Sequence, residues 1–240
     1  TVILFEDLIM GMTLKNVFDA LGSGELFQNA VSENFTIRPS NFNRLIPLVN
    51  LGLINLFREF RLKIVEKEFT YVEDQVIYDL NIEGDFVEVL DLYYKGISLP
   101  RNSSPQFKYE WQAEYDAGMY FTLGNSGTIK IGKGIVSDFT VAYKALHPKI
   151  ELIAESEFAT TNAEDILIDL PYAYLNALVY FISHKISTSL DAQSVATKNP
   201  FNVGNNYLGL YKNEVDLLKL QSYEVDQPLQ SNKFFDSGFV

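Results

Sequence analysis

The sequence predicts an α+β protein, a bundle of about four helices with a β-rich domain inserted between the second and third helices. Three observations carry this. Apolar residues recur at three and four spacing in two stretches before about residue 62 and in two more after about residue 151. Between them, from about Lys63, the apolar period switches to two. Hydrophobic residues make up 47% of the chain and include 18 Phe and 14 Tyr, enough for a sizeable core and of the type that builds strands and protein interfaces. The expected organisation is a bundle from residues 1–62 plus 151–222, a β-domain over 63–150, and an extended C-terminal arm over 223–240.

The first helix is expected in "FEDLIMGMTLKNVFDAL", ending at Gly22 as its C′ residue. The second is expected in "SNFNRLIPLVNLGLINLFREFRLK", with Ser40 as a candidate N-cap. Leu45, Leu48, Val49, Leu53, Leu56 and Phe60 line one face, and Pro47 implies a kink or a start nearby. In the β-block, "EKEFTYV" and "QVIYDL" flank Glu73-Asp74 and suggest a hairpin. "FVEVLDLYYKG" reads as a strand closed by Gly96, followed by a polar loop, "GISLPRNSSPQ". "MYFTLGNSGTIKIGKG" reads as a hairpin turning at Gly124 to Gly127, and "SDFTVAYKALHP" as a last strand ended by Pro148. Pro171 suits the first turn of the third helix, which carries Tyr174, Leu175, Leu178, Phe181, Ile182 and Ile186. "TKNPFNVGNN" reads as a loop before a fourth helix bearing Tyr207, Leu210, Tyr211, Glu214, Val215 and Leu218.

Composition narrows the function classes. The net charge of −12 repels a phosphate backbone, and no dense Lys/Arg cluster offsets it, which argues against a sequence-reading nucleic-acid binder. There is no cysteine, so disulfides, thiol catalysis and Cys-based metal sites are excluded. The opening "TVILFEDLIMGM" lacks a basic region and carries Glu6 and Asp7, a poor match to a signal peptide. The most apolar helical stretch, Asp165 to Leu190, is interrupted by Asn176, Ser183, His184 and Lys185 and falls short of the ~20 apolar residues of a membrane span.

Motifs for chemistry are weak. "GTIKIGKG", Gly127 to Gly134, approaches a phosphate-binding loop, but Gly134 replaces the required hydroxyl and no helix pattern follows. "DLNIEGD", Asp79 to Asp85, mimics the start of a calcium loop, but Leu90 stands where a bidentate Glu is needed. His147 and His184 lie on different elements without carboxylates at ligand spacing. Carboxylate pairs of the glycosidase kind are no more frequent than in any acidic protein. The expectation is therefore no catalytic residue, no metal site and no cofactor. The alternative reading is a small hydrolase or nucleotide-binding enzyme using the glycine-rich β-block, or a free-standing ligand-binding module.

The ordered segments resemble the head-to-tail adaptor proteins of tailed bacteriophages, the head-completion or ring proteins of the podophage tail-tube-A-like kind. "NRLIPLVNLGLINLFREFRLK" is similar to the family's first long helix. "IYDLNIEGDFVEVLDLYYKG" resembles its strand-turn-strand, and "FTVAYKALHPKI" its strand with a central Tyr before a Pro. "IDLPYAYLNALVYFISHKIS" resembles the helix that opens on Leu-Pro, and "YLGLYKNEVDLL" the closing helix. Together these cover about Ser40 to Ser222; the N-terminal helix, the tail and Pro47 lie outside the pattern.

The resemblance implies a structural virion protein made in the bacterial host cytoplasm. It implies a homo-oligomeric ring, commonly a dodecamer, joining the portal protein to neighbouring tail or ring proteins. Viral DNA would pass through its lumen without sequence-specific binding. The acidic balance and the aromatic load agree with that implication. The arm "KFFDSGFV" is expected to dock on a neighbour through Phe234, Phe235 and Phe239.

Overall fold

The computed structural model describes residues 12–23, 32–33, 36–81, 84–101, 118–124, 127–157, 162–191 and 201–221. In chain order these form β1 (Met12–Thr13), α1 (Leu14–Ser23), β2 (Ser32–Glu33), β3 (Thr36–Ile37) and α2 (Phe42–Glu59). Then come β4 (Ile64–Phe69), β5 (Ile77–Asp79), β6 (Phe86–Tyr94), β7 (Ile97–Ser98), β8 (Phe121–Leu123), β9 (Thr128–Ile131) and β10 (Phe139–Ala145). The chain closes with β11 (Leu167–Ile168), α3 (Leu175–Asp191) and α4 (Phe201–Leu220). The protein is thus mixed α and β, with four α-helices and several antiparallel sheets among the described residues. The described residues fall into two compact units, one drawn from Thr1–Leu56 and Lys149–Tyr223, the other from Phe57–Pro148.

In the first unit, a local cap and a distant segment together fix where α1 starts. Thr13 and Asn16 bond reciprocally: the Thr13 N–H donates to Asn16 Oδ1 (2.8 Å), and the Asn16 N–H donates to Thr13 Oγ1 (3.3 Å). This is a capping box with Asn in place of the usual Glu or Gln. The next two amides, of Leu14 and Lys15, donate to the carbonyls of Ile166 and Ala163, and β1 pairs with β11. The start of α1 is therefore also set by a segment some 150 residues away in sequence, and Met12–Thr13 is strand rather than the helix expected from its apolar spacing. Residues 1–11 of that expected helix lie outside the described residues. Gly22, expected just past the helix, is inside it and buried.

Pro39–Asn41 form a 3₁₀ turn whose capping residue is Arg38, so Ser40 lies within the turn and is not the N-cap. The second helix continues through Pro47, which removes only the ladder bond to the Asn43 carbonyl. Leu45, Val49, Leu53 and Leu56 are buried as expected, and so is Ile46. Gly52 of α2 faces α3 without room for a side chain: a Cβ there would lie 2.5 Å from Leu178 Cδ1 and 3.2 Å from Phe181 Cδ1. Leu178 and Ile182 are fully buried. The third helix is entered through a 3₁₀ turn, Tyr172–Tyr174, with Pro171 before it. The final helix begins at Phe201, so "FNVGNN", expected as loop, is helical. It buries Tyr207, Val215 and Leu218, and Tyr211 meets Phe181 edge-on at 5.4 Å. Leu210, expected on the same face, is exposed.

A second device in this unit escapes sequence periodicity. Asn43 and Asn50 lie two turns apart on α2 and present their carboxamides on the same face. Asn43 Nδ2 donates to the Ile153 carbonyl (2.7 Å), and its Oδ1 accepts from the Ile153 N–H (2.9 Å). Asn50 repeats this with Ile150, at 2.9 Å in both directions. Each carboxamide stands in for a peptide group of a neighbouring strand, so the extended segment lies along the helix with Ile150 and Ile153 buried.

The second unit holds two sheets, ordered β4-β10-β6-β7 and β5-β9-β8. The expected hairpin across Glu73-Asp74 does not form. The turn is present, closed by the Gln75 N–H donating to the Val72 carbonyl (3.1 Å) with Asp74 at φ +66°. But β4 pairs with β10 and β5 pairs with β9, so the turn passes the chain from one sheet to the other. The hairpin of β8 and β9 forms as expected. The strand ended before Pro148 is β10, the central strand of the larger sheet. "YYKGIS" forms an unexpected hairpin: Lys95 and Gly96 both have positive φ, as a two-residue mirror-image turn requires, and Ile97–Ser98 fold back on β6. Lys144 is 5% exposed and its ammonium donates to the Arg58 carbonyl (2.6 Å), capping the last turn of α2.

Two stability outcomes follow. Asn50→Ala leaves a buried amide and carbonyl without partners and should cost about 1–3 kcal/mol, lowering the calorimetric Tm by several degrees. Gly52→Val should overpack the α2–α3 contact and cost a further ~1–3 kcal/mol, measured by urea unfolding.

Candidate interaction surface

The larger sheet ends in one aligned row. Phe69 of β4 pairs with Phe139 of β10, Phe139 with Tyr94 of β6, and Tyr94 with Ile97 of β7. Three segments leave the sheet at this row: 70–76 after β4, 132–138 before β10, and the turn at Lys95–Gly96. Sheet register alone therefore gathers them at one end of the unit.

Hydrogen bonds tie these segments together. The Tyr71 N–H donates to Asp138 Oδ1 (2.8 Å), the Val72 N–H to the Tyr78 hydroxyl (3.1 Å), and the Val136 N–H to the Tyr94 hydroxyl (3.5 Å). A hydrogen bond with Ser137 holds the Tyr94 hydroxyl below the ordinary tyrosine range, against the burial that pushes it up. The Lys95 ammonium lies 5.1 Å from the Tyr94 ring centroid.

This end exposes several apolar residues. Val72 (49% exposed), Ile97 (57%) and Val136 (60%) lie in or next to the three segments, and exposed Val76 and Ile77 follow at the end of the first segment and the start of β5. Exposed apolar residues scattered singly are ordinary; several brought to one end of a sheet make it a candidate contact surface. Glu73, Asp74, Lys95, Lys133 and Asp138 lie exposed along the same segments.

The residues considered for chemistry are spread apart. Gly127 to Gly134 is β9 followed by a turn, without the helix that a phosphate loop opens. In the calcium-like stretch, Asp79 Oδ1 accepts the Asn81 N–H within the turn, the Asp85 carbonyl accepts the Leu146 N–H beyond β10, and Asp85 Oδ1 is buried without a hydrogen-bond partner among the described residues; residues 82–83 lie outside the described residues. His147 is half-buried with Phe57 edge-on at 5.5 Å in the β-unit, and His184 is half-buried on α3 in the helical unit. Among the described residues no three His, Asp or Glu side chains group as metal ligands, and no helix is long and apolar enough to cross a membrane. Phe234, Phe235 and Phe239 lie outside the described residues. The sequence matches no protein-family model and no curated protein.

Val72 stands at the end of an expected strand and Val136 outside the expected elements; the pairing of Phe69 with Phe139 is what places their segments at the same end of the sheet. Val72→Asp combined with Val136→Asp should leave the Tm within about 2 °C, because both sites are exposed. The same double variant should lower self-association or partner capture measured by light scattering; unchanged association would remove this surface from the interface.

Proposed function

We propose that this chain is the subunit of a ring that connects a phage portal to its tail, with a helical bundle interrupted by an inserted β-domain. The observation that carries the reading is the apolar end of the β-unit, built from Val72, Val76, Ile77, Ile97 and Val136 on a hydrogen-bonded frame. A surface of this kind suits a flat protein partner better than a small molecule, which needs a concave site.

Two further features support it. The chain order of helices, strands and helices agrees with the resemblance to head-to-tail adaptor proteins. The net charge of −12 suits a channel wall past which DNA moves without sticking. In this reading the chain is a non-enzymatic virion component whose partners are other copies of itself, the portal protein and the adjoining tail protein.

The test is assembly. Multi-angle light scattering of the full chain, alone and mixed with the portal protein of the same phage, should show a closed oligomer in at least one condition. Cryo-electron microscopy should then show a ring coaxial with the portal. A chain that stays monomeric in both conditions overturns the reading.

A further inference from the structure

The six-residue strand β4 is an edge of the larger sheet, with β10 on one side and no strand on the other among the described residues. Which of its backbone groups face outward follows from the ladder. The Ala145 N–H donates to the Lys63 carbonyl (3.0 Å), so Lys63–Ala145 is a hydrogen-bonded pair. Such pairs recur every second residue in an antiparallel ladder, which turns Val65, Lys67 and Phe69 toward β10. The backbone groups of Ile64, Glu66 and Glu68 then point away from the sheet. An open edge of this length is a template for another strand.

The edge is poorly matched to itself. Two copies of β4 related by a two-fold axis must place outward residues opposite outward residues. Centring on Glu66 sets Glu66 against Glu66. Moving toward Phe69 sets Lys67 against Lys67, and moving toward Ile64 sets Lys63 against Lys67. Like charges directly opposite are destabilising in each of these registers. Only a two-fold on Ile64, which overlaps the two strands at one end, avoids them, so a strand of different sequence fits the full edge better.

Resting on the ring reading above, we infer that this edge receives residues 231–235 of a second copy, the "SNKFF" that follows the last helix, as an added antiparallel strand. One register satisfies face, charge and hydrogen-bond phase together. Lys233 stands opposite Glu66, Phe235 opposite Ile64 and Ser231 opposite Glu68 as hydrogen-bonded pairs. Phe234 stands opposite Val65 and Asn232 opposite Lys67 as the intervening pairs. Phe234 then extends the face that already holds half-buried Val65 and buried Phe69, and Lys233 answers the exposed Glu66. Donating a terminal strand to the next copy is a head-to-tail contact, the kind that builds rings rather than closed dimers.

The absence of native cysteine allows a direct test in the full chain. Side chains of intervening pairs approach closely enough, with Cβ atoms about 4–5 Å apart, for a disulfide. A Val65→Cys copy mixed with a Phe234→Cys copy should give a disulfide-linked dimer on mild oxidation, seen on a non-reducing gel. Ile64→Cys mixed with Phe234→Cys, on opposite faces, should give at least tenfold less. Separately, Glu66→Pro removes an outward N–H while sparing the β10 ladder. It should abolish the cross-link in the Val65→Cys background, whereas Glu66→Ala should leave most of it. Absence of the Val65–Phe234 dimer, or equal yield from the wrong-face pair, overturns the inference. If light scattering of the same mixture still shows a ring, the ring reading survives that failure; if it shows monomer, both fall.

Discussion

The β-unit depends on the contact among Phe69, Phe139 and Tyr78. Phe69 and Phe139 stack at 5.6 Å within the larger sheet, and Tyr78, from the smaller one, meets them edge-on at 6.0 and 5.0 Å. Each such pair adds about 0.5–1.5 kcal/mol beyond the area it buries. The cluster is also where the two sheets are joined. The Tyr78 hydroxyl accepts the Val72 N–H, so the ring that fills the core also positions the turn that carries the chain between sheets. Without that anchor, the exposed valines of the turn would have no fixed place relative to Val136 and Ile97, and the apolar end of the unit would not exist as a surface.

The helical unit solves a different problem. Its chain is discontinuous in sequence, so the returning segment must be aligned on α2 by something other than adjacency. Asn43 and Asn50 do this by bonding the backbone rather than the side chains of Ile150 and Ile153. Backbone recognition fixes the position along the segment. The two buried isoleucines then supply the apolar area that makes the alignment stable. The start of α1 obeys the same logic, its first amides being satisfied by carbonyls of Ile166 and Ala163.

The mixed α and β class was legible because periodicity is local: α2, α3 and most strands of the β-unit announce themselves by spacing. What was not legible is pairing. "EKEFTYV" and "QVIYDL" look like a hairpin because a turn separates two alternating runs, yet each run finds its partner far away in sequence. The helical start at Phe201 was hidden by Pro200 and a run of Asn and Gly, residues of low intrinsic helix preference. The interaction surface was invisible for the same reason as the asparagine clamp. Both are assembled by register, and neither Val72 nor Asn50 carries a signal of its own in the linear sequence.

Charge ties these features together. A chain with net charge −12 disfavours association of its own copies over much of its surface. In the proposed ring, contacts between copies would fall where charge is thin or paired. The end of the β-unit exposes Val72, Ile97 and Val136 among charges of both signs, Glu73, Asp74, Lys95, Lys133 and Asp138, which together sum to a small net charge. At the edge of β4, Glu66, Lys67 and Glu68 alternate in sign and repel an identical strand over the full edge while accepting one with a lysine at the right step. If the edge of β4 receives the strand inferred above, the sequence that completes it differs from the sequence that lines it, which disfavours edge-to-edge pairing of identical strands.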